Sequence, residues 1–583
     1  MFLKINTDKR TGGKYLNMVR GYYDKEKKCP RQKVIESFGF IDKLKEQYED
    51  PIAHFRAYVE ERNREESLAA AEYTLTVKKN SEIPKNTDRR KNLGYAIILS
   101  VYTELGLDRF LLNRQRGRKF EYNTSTIMKL LLVSRILSPS SKKRAYEKRL
   151  RYFDFESEGA FSLDDIYLCL SHFAGLSEPM QLQIHNSINK VYGRNTELVY
   201  YDVTNYYFET DKEDELLAKG ASKEHRPNPI VQMGLAMDAD GLPISYELFA
   251  GNDSEKLHLR PMVGRLRREY DAGKFIVVAD AAQNTGNNTY YLESGKCGYV
   301  FSQTIRGGVE DFKKWVAEGE GYEIFSDEYK RKSRLIRRKI SVEMIKEGRE
   351  HKKDMLVDQR QIVFYSEKYA VRARKKRETA VKKAYKIASN PAAYTKATSY
   401  GALRYVTNVE VDKKTGELKE AKAKPYVDIE KIREEEKWDG YYCIVTNLFD
   451  EDKTARFSDD NIINIYRGLW RIEDSFKVTK SDLDARPVHL SRHDRIKAHF
   501  LTCFISLVIT RLIEKRLGHK YSVSAITEAM NHISCSPESE NVFMFDYRSD
   551  VTDALGEAFG IDFTKERLTR AQIKNILACA KKA

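Results

Sequence analysis

The chain has 583 residues, of which 41% are hydrophobic and 32% are charged. This composition is typical of water-soluble globular proteins, and the length predicts roughly three to five domains. A formal net charge of +16 favours a polyanionic partner, and nucleic acid is the main hypothesis. A membrane partner is disfavoured because the longest apolar stretch, Phe500 to Thr510, is far shorter than the ~20 residues of a spanning helix.

The seven cysteines are scattered without a Cys-x-x-Cys pair, which argues against a disulfide framework or a zinc ribbon. The N-terminus has no apolar signal region, and no Walker-type phosphate loop is present. We therefore expect a reduced, cytoplasmic protein that is not a P-loop motor.

The pattern of hydrophobic residues divides the chain into six predicted regions. In chain order they are a small β-hairpin and helix module (1–85, with a polar linker near 78–91), an all-α domain (86–195), the first part of an α/β core (196–304), a β-rich insertion (305–455), the second part of the core (456–517) and a C-terminal helical region (518–583). The main predicted helices of the all-α domain are 95–107, 126–137 and 163–173.

The first part of the core has the clearest strand pattern. Residues 198–208 predict a strand, 230–237 and 242–249 predict a hairpin, and a helix at 257–270 precedes a nearly all-apolar strand at 274–280. The order strand, hairpin, helix, strand is that of the first half of an RNase H-like fold.

Two aspartates stand out in these strands. Asp202 interrupts an apolar and aromatic strand, where an ionised carboxylate is costly unless it faces a cavity, a metal or a cation. Asp280 follows a buried strand, where open α/β sheets place their ligands. The alternatives are a solvent-facing or backbone-bonded aspartate for Asp202 and an ordinary turn residue for Asp280.

A third carboxylate comes from the helix predicted at 463–480. Tyr466, Glu473 and Lys480 are spaced by seven residues, so on one continuous helix they would form a single stripe. The alternative is a solvated Glu473 that pairs with Lys477.

Together the three carboxylates suit two Mg²⁺ ions, with Mn²⁺ as an alternative, because hard divalent cations prefer oxygen ligands. The sequence contains no His/Cys cluster that would favour a softer metal. We expect His225, His258 and His499 to be structural residues or phosphate contacts.

The signature around Glu473 resembles a known family. Tyr466, Glu473 and Lys480 fit the Y-x2-R-x3-E-x6-K pattern of DDE insertion-sequence transposases of the insertion-sequence-four superfamily. The arginine position holds Leu469 instead, and Arg467 or Arg471 is the candidate replacement. The other stretches that carry the likeness are Asp439-Gly440-Tyr441-Tyr442, Thr446-Asn447, Ser138-Pro139-Ser140-Ser141-Lys142, Arg486-Pro487-Val488 and Ala498-His499.

This resemblance implies an RNase H-like catalytic core interrupted by a β-rich insertion. It implies that Asp202, Asp280 and Glu473 bind two metal ions and that Tyr466 and Lys480 contact DNA near the scissile phosphate. The implied activity is metal-dependent cleavage at the terminal inverted repeats of a transposon and transfer of the 3′-OH ends to target DNA. A homodimer in the bacterial cytoplasm, associated with the nucleoid when bound to DNA, is expected. The alternatives are a metal-dependent nuclease on the same core and a catalytically inactive, domesticated DNA-binding protein.

Three basic runs, 142–151, 330–339 and 372–386, agree with a DNA substrate, although any one of them could be a solvated face. The all-α domain is the first candidate for specific recognition of transposon ends, the module at 1–85 is the second, and the insertion is expected to hold end DNA near the active site. The candidate DNA-binding residues are Lys142, Lys143, Arg144, Arg337, Arg338, Arg374, Lys375, Tyr466, Arg467, Arg471, Lys477 and Lys480.

Overall fold

The computed structural model describes residues 1–582 except 10–11, 25–28, 70–81, 83–84, 86, 158–160, 221–227, 271, 347–348, 396–397, 400, 412–416, 422, 450–455 and 540. The chain divides into two compact units, Met1–Thr87 and Asp88–Ala583. His225 and half of the predicted linker at 78–91 lie outside the described residues.

The first unit is a three-stranded antiparallel sheet followed by two helices. The unit contains β1 (Phe2–Thr7), β2 (Lys14–Asp24), β3 (Cys29–Phe40), α1 (Ile41–Leu44) and α2 (Pro51–Ala69). The strand order is β1-β2-β3, so the predicted hairpin has gained a third strand. Leu16 packs with Ile41 and Leu44, and Phe38 stacks on Phe55 with 4.2 Å between ring centroids.

The second unit begins with a helical region. Its elements are β4 (Lys91–Asn92), α3 (Tyr95–Glu104), α4 (Leu107–Gln115), α5 (Thr124–Leu137), α6 (Lys142–Glu147), α7 (Asp154–Ser157), α8 (Leu163–Ala174) and α9 (Ser177–Tyr192). The predicted helix at 95–107 ends early, because Gly106 adopts a left-handed conformation (φ 68°) that separates α3 from α4. Helix α5 is buried along almost its whole length.

The core sheet follows. Its first elements are β5 (Leu198–Tyr207), β6 (Ile230–Met237), β7 (Pro243–Ala250), α10 (Leu259–Glu269), β8 (Ile276–Ala279), α11 (Gly286–Ser294) and β9 (Gly298–Gln303). The five strands lie in the order β9-β8-β5-β6-β7. β8 is parallel to both β5 and β9, whereas β5, β6 and β7 form an antiparallel meander. This arrangement fits the predicted RNase H-like core.

The region predicted as an insertion adds strands to the same sheet. It contains α12 (Glu310–Ala317), β10 (Glu323–Ser326), β11 (Tyr329–Lys346), β12 (Arg349–Ser366), α13 (Glu367–Ser389), β13 (Val406–Thr407), β14 (Val409–Val411), β15 (Leu418–Glu420), β16 (Tyr426–Val427), α14 (Ile429–Glu436) and β17 (Tyr441–Thr446). Strands β10, β11, β12 and β17 continue the core sheet beyond β9 and bring it to nine strands. The hairpin of β11 and β12 has 18 residues in each strand.

The chain after β17 is helical and then mixed. Its elements are α15 (Asp459–Arg467), α16 (Trp470–Lys477), a π-helical turn (Val478–Asp482), α17 (His493–Arg516), α18 (Val523–His532), β18 (Ser534–Pro537), β19 (Val542–Phe545), α19 (Asp550–Phe559), β20 (Arg567–Thr569) and α20 (Arg570–Ala580). The prediction of one continuous helix over 463–480 was wrong. The region 518–583, predicted as helical, also contains three strands, and β18 pairs with β4.

The core sheet is covered on both faces. Side chains of α15, α16 and α17 pack on one face, and those of α10 and α11 pack on the other. Helix α17 is long and apolar enough to cross a membrane by length and composition, but 94% of its apolar window is buried inside the protein. It is the central helix of the larger hydrophobic core.

Candidate active site

Asp202 and Asp280 lie side by side on neighbouring parallel strands. Strand β5 pairs with β8 in a register that joins Tyr200 to Val278, and the same offset continued by two residues places Asp202 opposite Asp280. Adjacent strands lie about 4.8 Å apart, and residues two apart share a face of the sheet. Both aspartates therefore project from the face that Tyr200 and Val278 bury against α15–α17.

The backbone positions both carboxylates. Asp280 caps a short 3₁₀ turn, since its Oδ1 accepts a hydrogen bond from the Ala282 amide at 2.9 Å. Asp202 Oδ1 accepts from the Val203 amide at 2.7 Å. Both side chains are partly exposed, so water and ions have access to them.

The segment that carries Glu473 crosses over β5 and is anchored on both sides of Asp202. On one side, the Tyr200 hydroxyl donates to the Ile465 carbonyl at 3.2 Å. On the other, Lys480 Nζ donates to Thr204 Oγ1 at 2.6 Å. Asp202 lies between Tyr200 and Thr204 on β5, and Glu473 lies between the two anchors on the crossing segment. Glu473 itself is exposed.

Tyr466 connects the acidic residues. Burial raises the pKa of Tyr466 to about 12; a hydrogen bond with Ser302 lowers it, and the charges of Asp280 and Glu473 raise it. The phenol is therefore protonated at neutral pH and lies within electrostatic range of both carboxylates. We call Asp202, Asp280, Glu473 and Tyr466 the acidic face.

Gly468 lies where the predicted stripe breaks into two helices. A Cβ atom on Gly468 would lie 2.0 Å from the Tyr200 hydroxyl oxygen, so the backbone approaches β5 more closely than any side chain permits. Helix α15 ends at Arg467, and tight turns of the i to i−3 type, such as the Arg471 amide to the Gly468 carbonyl at 3.1 Å, lead into α16.

The basic residues predicted on this segment have different surroundings. Arg467 and Lys477 are exposed, whereas Arg471 is partly buried with its guanidinium 5.5 Å from the Trp470 ring. Lys480 lies over the Tyr206 ring at 5.5 Å. All four flank the acidic face, on the segment that crosses β5.

The long hairpin reaches the same edge of the sheet. Arg338 Nη1 donates to Asn284 Oδ1 at 3.2 Å, four residues after Asp280. Arg337 is exposed and pairs with Asp358 across the hairpin at 3.2 Å. Arg374 and Lys375 are exposed on α13, but Arg377 of the same basic run is buried against Asp439 and Glu436 and is structural.

The run at 142–151 is only partly a surface feature. Lys143 and Arg144 are exposed, whereas Lys142 is 7% exposed. Of the three histidines considered in the sequence, the two that the structure describes are buried. His258 stacks on Phe249 at 3.7 Å, and His499 lies next to Lys142.

The donor set of the acidic face fits a hard divalent cation, because its donors are the oxygens of three carboxylates and a phenol. Two of the acids are brought together by strand register. Among the described residues, however, no group of three or more His, Cys, Asp or Glu side chains is gathered as metal ligands. The sheet thus supplies a pair of candidate ligands, and Glu473 is the third candidate on α16.

Thr204 and Ser302 were not predicted as site residues. Thr204 was detectable in principle, because it follows Asp202 by two residues and so shares its face of the strand. Ser302 had no sequence signal, since its place beside Tyr466 depends on the pairing of β9 with β8.

About half of the chain matches a family of known proteins. A family model described as the transposase DDE domain matches residues 208–509, which include Asp280 and Glu473 and begin just after Asp202. No curated protein matches the chain.

Solved structures give further similarities. One is the piggyBac transposase in a synaptic complex with hairpin DNA, with 6% identity over 83% of this chain and 85% of that chain and a TM-score of 0.36. Another is the Mos1 transposase paired-end complex with the left transposon end, with 13% identity over 40% of this chain and 65% of that chain and a TM-score of 0.13. A Mos1 mariner paired-end complex with Mn has 11% identity over 41% and 67% of the two chains and a TM-score of 0.14.

Proposed function

The chain belongs to the transposases with a DDE domain, and from this premise we propose that Asp202, Asp280 and Glu473 are the three acids of that domain. The observation that carries the proposal is the register of β5 and β8, which places Asp202 opposite Asp280 beneath the segment that bears Glu473. The proposed activity is cleavage of double-stranded DNA at the terminal inverted repeats of a transposon, followed by strand transfer to target DNA.

The acids would hold two Mg²⁺ ions, or Mn²⁺ in their place. Bound there, divalent ions activate a water or a 3′-hydroxyl and stabilise the leaving oxygen. In hydrolysis, the water oxygen bonds to phosphorus, the P–O3′ bond breaks, and the proton passes to the leaving 3′-oxygen. In strand transfer, the freed 3′-oxygen bonds to a target phosphorus and the target strand leaves with its own 3′-hydroxyl.

Tyr466 of the acidic face and the neighbouring Lys480 position the DNA. Tyr466 keeps its proton at neutral pH, because its pKa is about 12, and is suited to donate a hydrogen bond to a phosphate oxygen beside Asp280 and Glu473. Lys480, held by Thr204, places a positive charge at the other end of the crossing segment. Both roles orient the scissile phosphate without consuming a proton.

Exposed and partly buried cations on the crossing segment, the hairpin, α13 and α6 are the proposed DNA contacts. They are Arg467, Arg471 and Lys477 on the crossing segment, Arg337 and Arg338 on the hairpin, Arg374 and Lys375 on α13, and Lys143 and Arg144 on α6. A homodimer is proposed because two transposon ends must be joined, with bacterial cytoplasm, at the nucleoid, as the location.

The test is cleavage and joining of a labelled duplex taken from the genomic DNA that flanks the coding sequence, with Mg²⁺ or Mn²⁺. Wild type is expected to cut and join, and Glu473→Gln is expected to bind the duplex and do neither. The matched control is Asp474→Asn on the same helix, whose carboxylate pairs with Arg511 at 2.7 Å and takes no part in the acidic face. It should retain both reactions.

Other results identify the alternatives. Cleavage without joining would favour a nuclease on the same core. DNA binding by wild type without cleavage or joining would favour a domesticated DNA-binding protein. That alternative is consistent with Glu473, which is exposed and does not form a cluster of three metal-ligating side chains in the described residues.

A further inference from the structure

Three sequence stretches with no role in the acidic face meet at one cavity. The cavity has a volume of about 510 Å³ and is lined by the Ser138–Lys142 loop, by residues 487–490 and by His499. These stretches come from the helical region, from the loop after the π-helical turn, and from α17. Its basic members are Arg135, Lys142, Arg144, Lys148, His489 and His499, and we call it the basic cavity.

Two of its cations are buried. Arg135 is 6% exposed and Lys142 is 7% exposed. Arg135 Nη1 donates to the carbonyls of Leu483 (3.1 Å) and Asp484 (2.9 Å), and Lys142 Nζ is 2.9 Å from His499 Nδ1. His499 Nε2 in turn lies 3.1 Å from the Ala485 carbonyl. These contacts fix the cations in place but neutralise neither of them.

The described residues that line the cavity carry more cations than acids. Within the described part of the chain, neither Arg135 nor Lys142 forms an ion pair, and Asp484 at the exposed rim is the one acid that lines the cavity. Burying a cation without a counter-ion costs free energy, which the binding of an anion would offset. The serine hydroxyls of the Ser138–Lys142 loop add neutral donors to the same wall.

The cavity lies close to the end of the strand that carries Asp202. The Val488 amide donates to the Tyr207 carbonyl at 3.3 Å, and Val488 forms a parallel bridge with Phe208. Five residues of extended strand separate Tyr207 from Asp202, a span of about 17 Å. That distance equals the rise of about five base pairs along the axis of a duplex.

We propose that the basic cavity binds a backbone phosphate of DNA, a few nucleotides from the phosphate that is cut. An ionised phosphate suits a wall of ammonium, guanidinium and hydroxyl donors, and a phosphodiester on a continuous strand suits a cavity that opens at the end of β5. The choice of DNA as the source of the phosphate rests on the proposed function, whereas the anion site rests on the buried cations alone.

Proton linkage supports the same site. Burial, followed by the charge of Arg135, lowers the pKa of Lys142 to about 7. Burial also lowers the pKa of His499 well below its usual range, so His499 is neutral and accepts from the ammonium. The other titratable neighbours are Lys148, Asp484 and His489 in the cavity wall and Cys503 on α17, whose pKa burial raises. An anion in the cavity would therefore be bound together with a proton on Lys142.

The experiment measures affinity for a labelled duplex as a function of salt, with wild type and three variants. Each phosphate contact contributes about −0.9 to the slope of the logarithm of the association constant against the logarithm of the salt concentration. Raising the salt from about 50 to 200 mM weakens binding by a certain factor, and that factor should be roughly 3.5-fold smaller in a variant that lacks one contact. Lys142→Met and Arg144→Gln should each show this change. Lys129→Met, on neighbouring α5, removes a lysine that Asp108 already compensates at 2.9 Å, and it should keep the wild-type slope.

A second readout separates binding from folding. Replacing a buried, uncompensated lysine with methionine should leave the Tm of the free protein unchanged or higher, although DNA binding is weaker. Arg144 is exposed, so Arg144→Gln tests the cavity even if Lys142→Met fails to fold. Wild-type slopes in both variants would overturn the proposal.

Inorganic phosphate distinguishes the sources of the anion. Stabilisation of wild type but not Lys142→Met by inorganic phosphate, with unchanged DNA slopes, would assign the cavity to a small free phosphate and overturn the DNA assignment. If the two cavity variants bind DNA with reduced salt slopes but the wild-type protein cuts no DNA, the cavity proposal is supported and the proposed cleavage activity is not.

Discussion

The acidic face and the basic cavity lie along the same strand, yet they hold charge in opposite ways. Asp202 and Asp280 are partly exposed, and backbone amides orient them. Arg135 and Lys142 are buried, and carbonyls and a neutral histidine orient them. Accessible acids suit ions and water that exchange during a reaction, whereas buried cations suit an anion that stays bound. From this difference we expect that DNA cleavage and DNA binding can be changed independently by substitution.

The largest expected effect tests that separation directly. Asp280→Asn should reduce cleavage roughly 10³-fold or more, equivalent to about 4 kcal/mol in the barrier, because a divalent ion would lose one of two adjacent ligands. The salt slope of DNA binding should not change. Single-turnover cleavage and binding isotherms on the same duplex measure both quantities. A variant that cuts at the wild-type rate would remove Asp280 from the site.

The next effect concerns the cavity alone. Because the pKa of Lys142 is about 7 in the folded protein and higher when unfolded, the unfolded chain binds more protons above pH 7. Lys142 therefore makes the free energy of unfolding rise with pH, by about 3 kcal/mol between pH 7 and pH 9.5. Denaturant unfolding of wild type and Lys142→Met at both pH values isolates this contribution. If the free energy of unfolding depends on pH equally in the two proteins, burial does not lower the pKa of Lys142.

Gly468 offers a perturbation of the acidic face that leaves the cavity intact. Gly468→Ala should destabilise the protein by about 2 kcal/mol, because the new methyl group would meet the Tyr200 hydroxyl. Cleavage should fall as the segment with Glu473 shifts. Tyr200→Phe removes the atom in closest contact, so the double variant should recover part of the loss in a double-mutant cycle.

The control for this substitution is Gly319→Ala, because a Cβ atom there meets nothing within 4 Å. Its stability and activity should match wild type. If the salt slope of Gly468→Ala also changed, the acidic face and the cavity would be mechanically coupled and the comparison would fail.

The sequence predicted the features that depend on local pattern. Strands β5 to β8 follow from alternating and continuous apolar runs, and Asp202 was conspicuous because an acid interrupts one of them. The break at Gly468 could not be predicted, since glycine is tolerated within helices and the close contact with the Tyr200 hydroxyl joins residues far apart in the sequence.

Long-range pairing accounts for the other gaps. Nothing in 323–366 indicates that its hairpin joins the core sheet, because strand pairing depends on residues distant along the chain. Lys142 looked like one of many surface cations, and its burial depends on the loop at 483–490 and on α17. The run at 330–339 looked as available to DNA as the run at 142–151, yet acids on the facing strand pair with Arg337 and Lys339.

The smallest expected effects concern the basic run at 330–339, where acids on the facing strand pair with Arg337 and Lys339. Arg337 and Asp358 are both exposed, so their pair contributes little to stability, and Arg337→Gln should change the free energy of unfolding by less than about 0.5 kcal/mol. DNA affinity should fall less than about twofold, because Asp358 already offsets the charge of Arg337. Arg144→Gln should have the larger effect. Asp358→Asn should strengthen DNA binding by a similar small factor, since it leaves Arg337 uncompensated. If Asp358→Asn changed neither the DNA affinity nor the salt slope, the hairpin would not contact DNA. The basic cavity would then be the stronger indication of the path of the DNA.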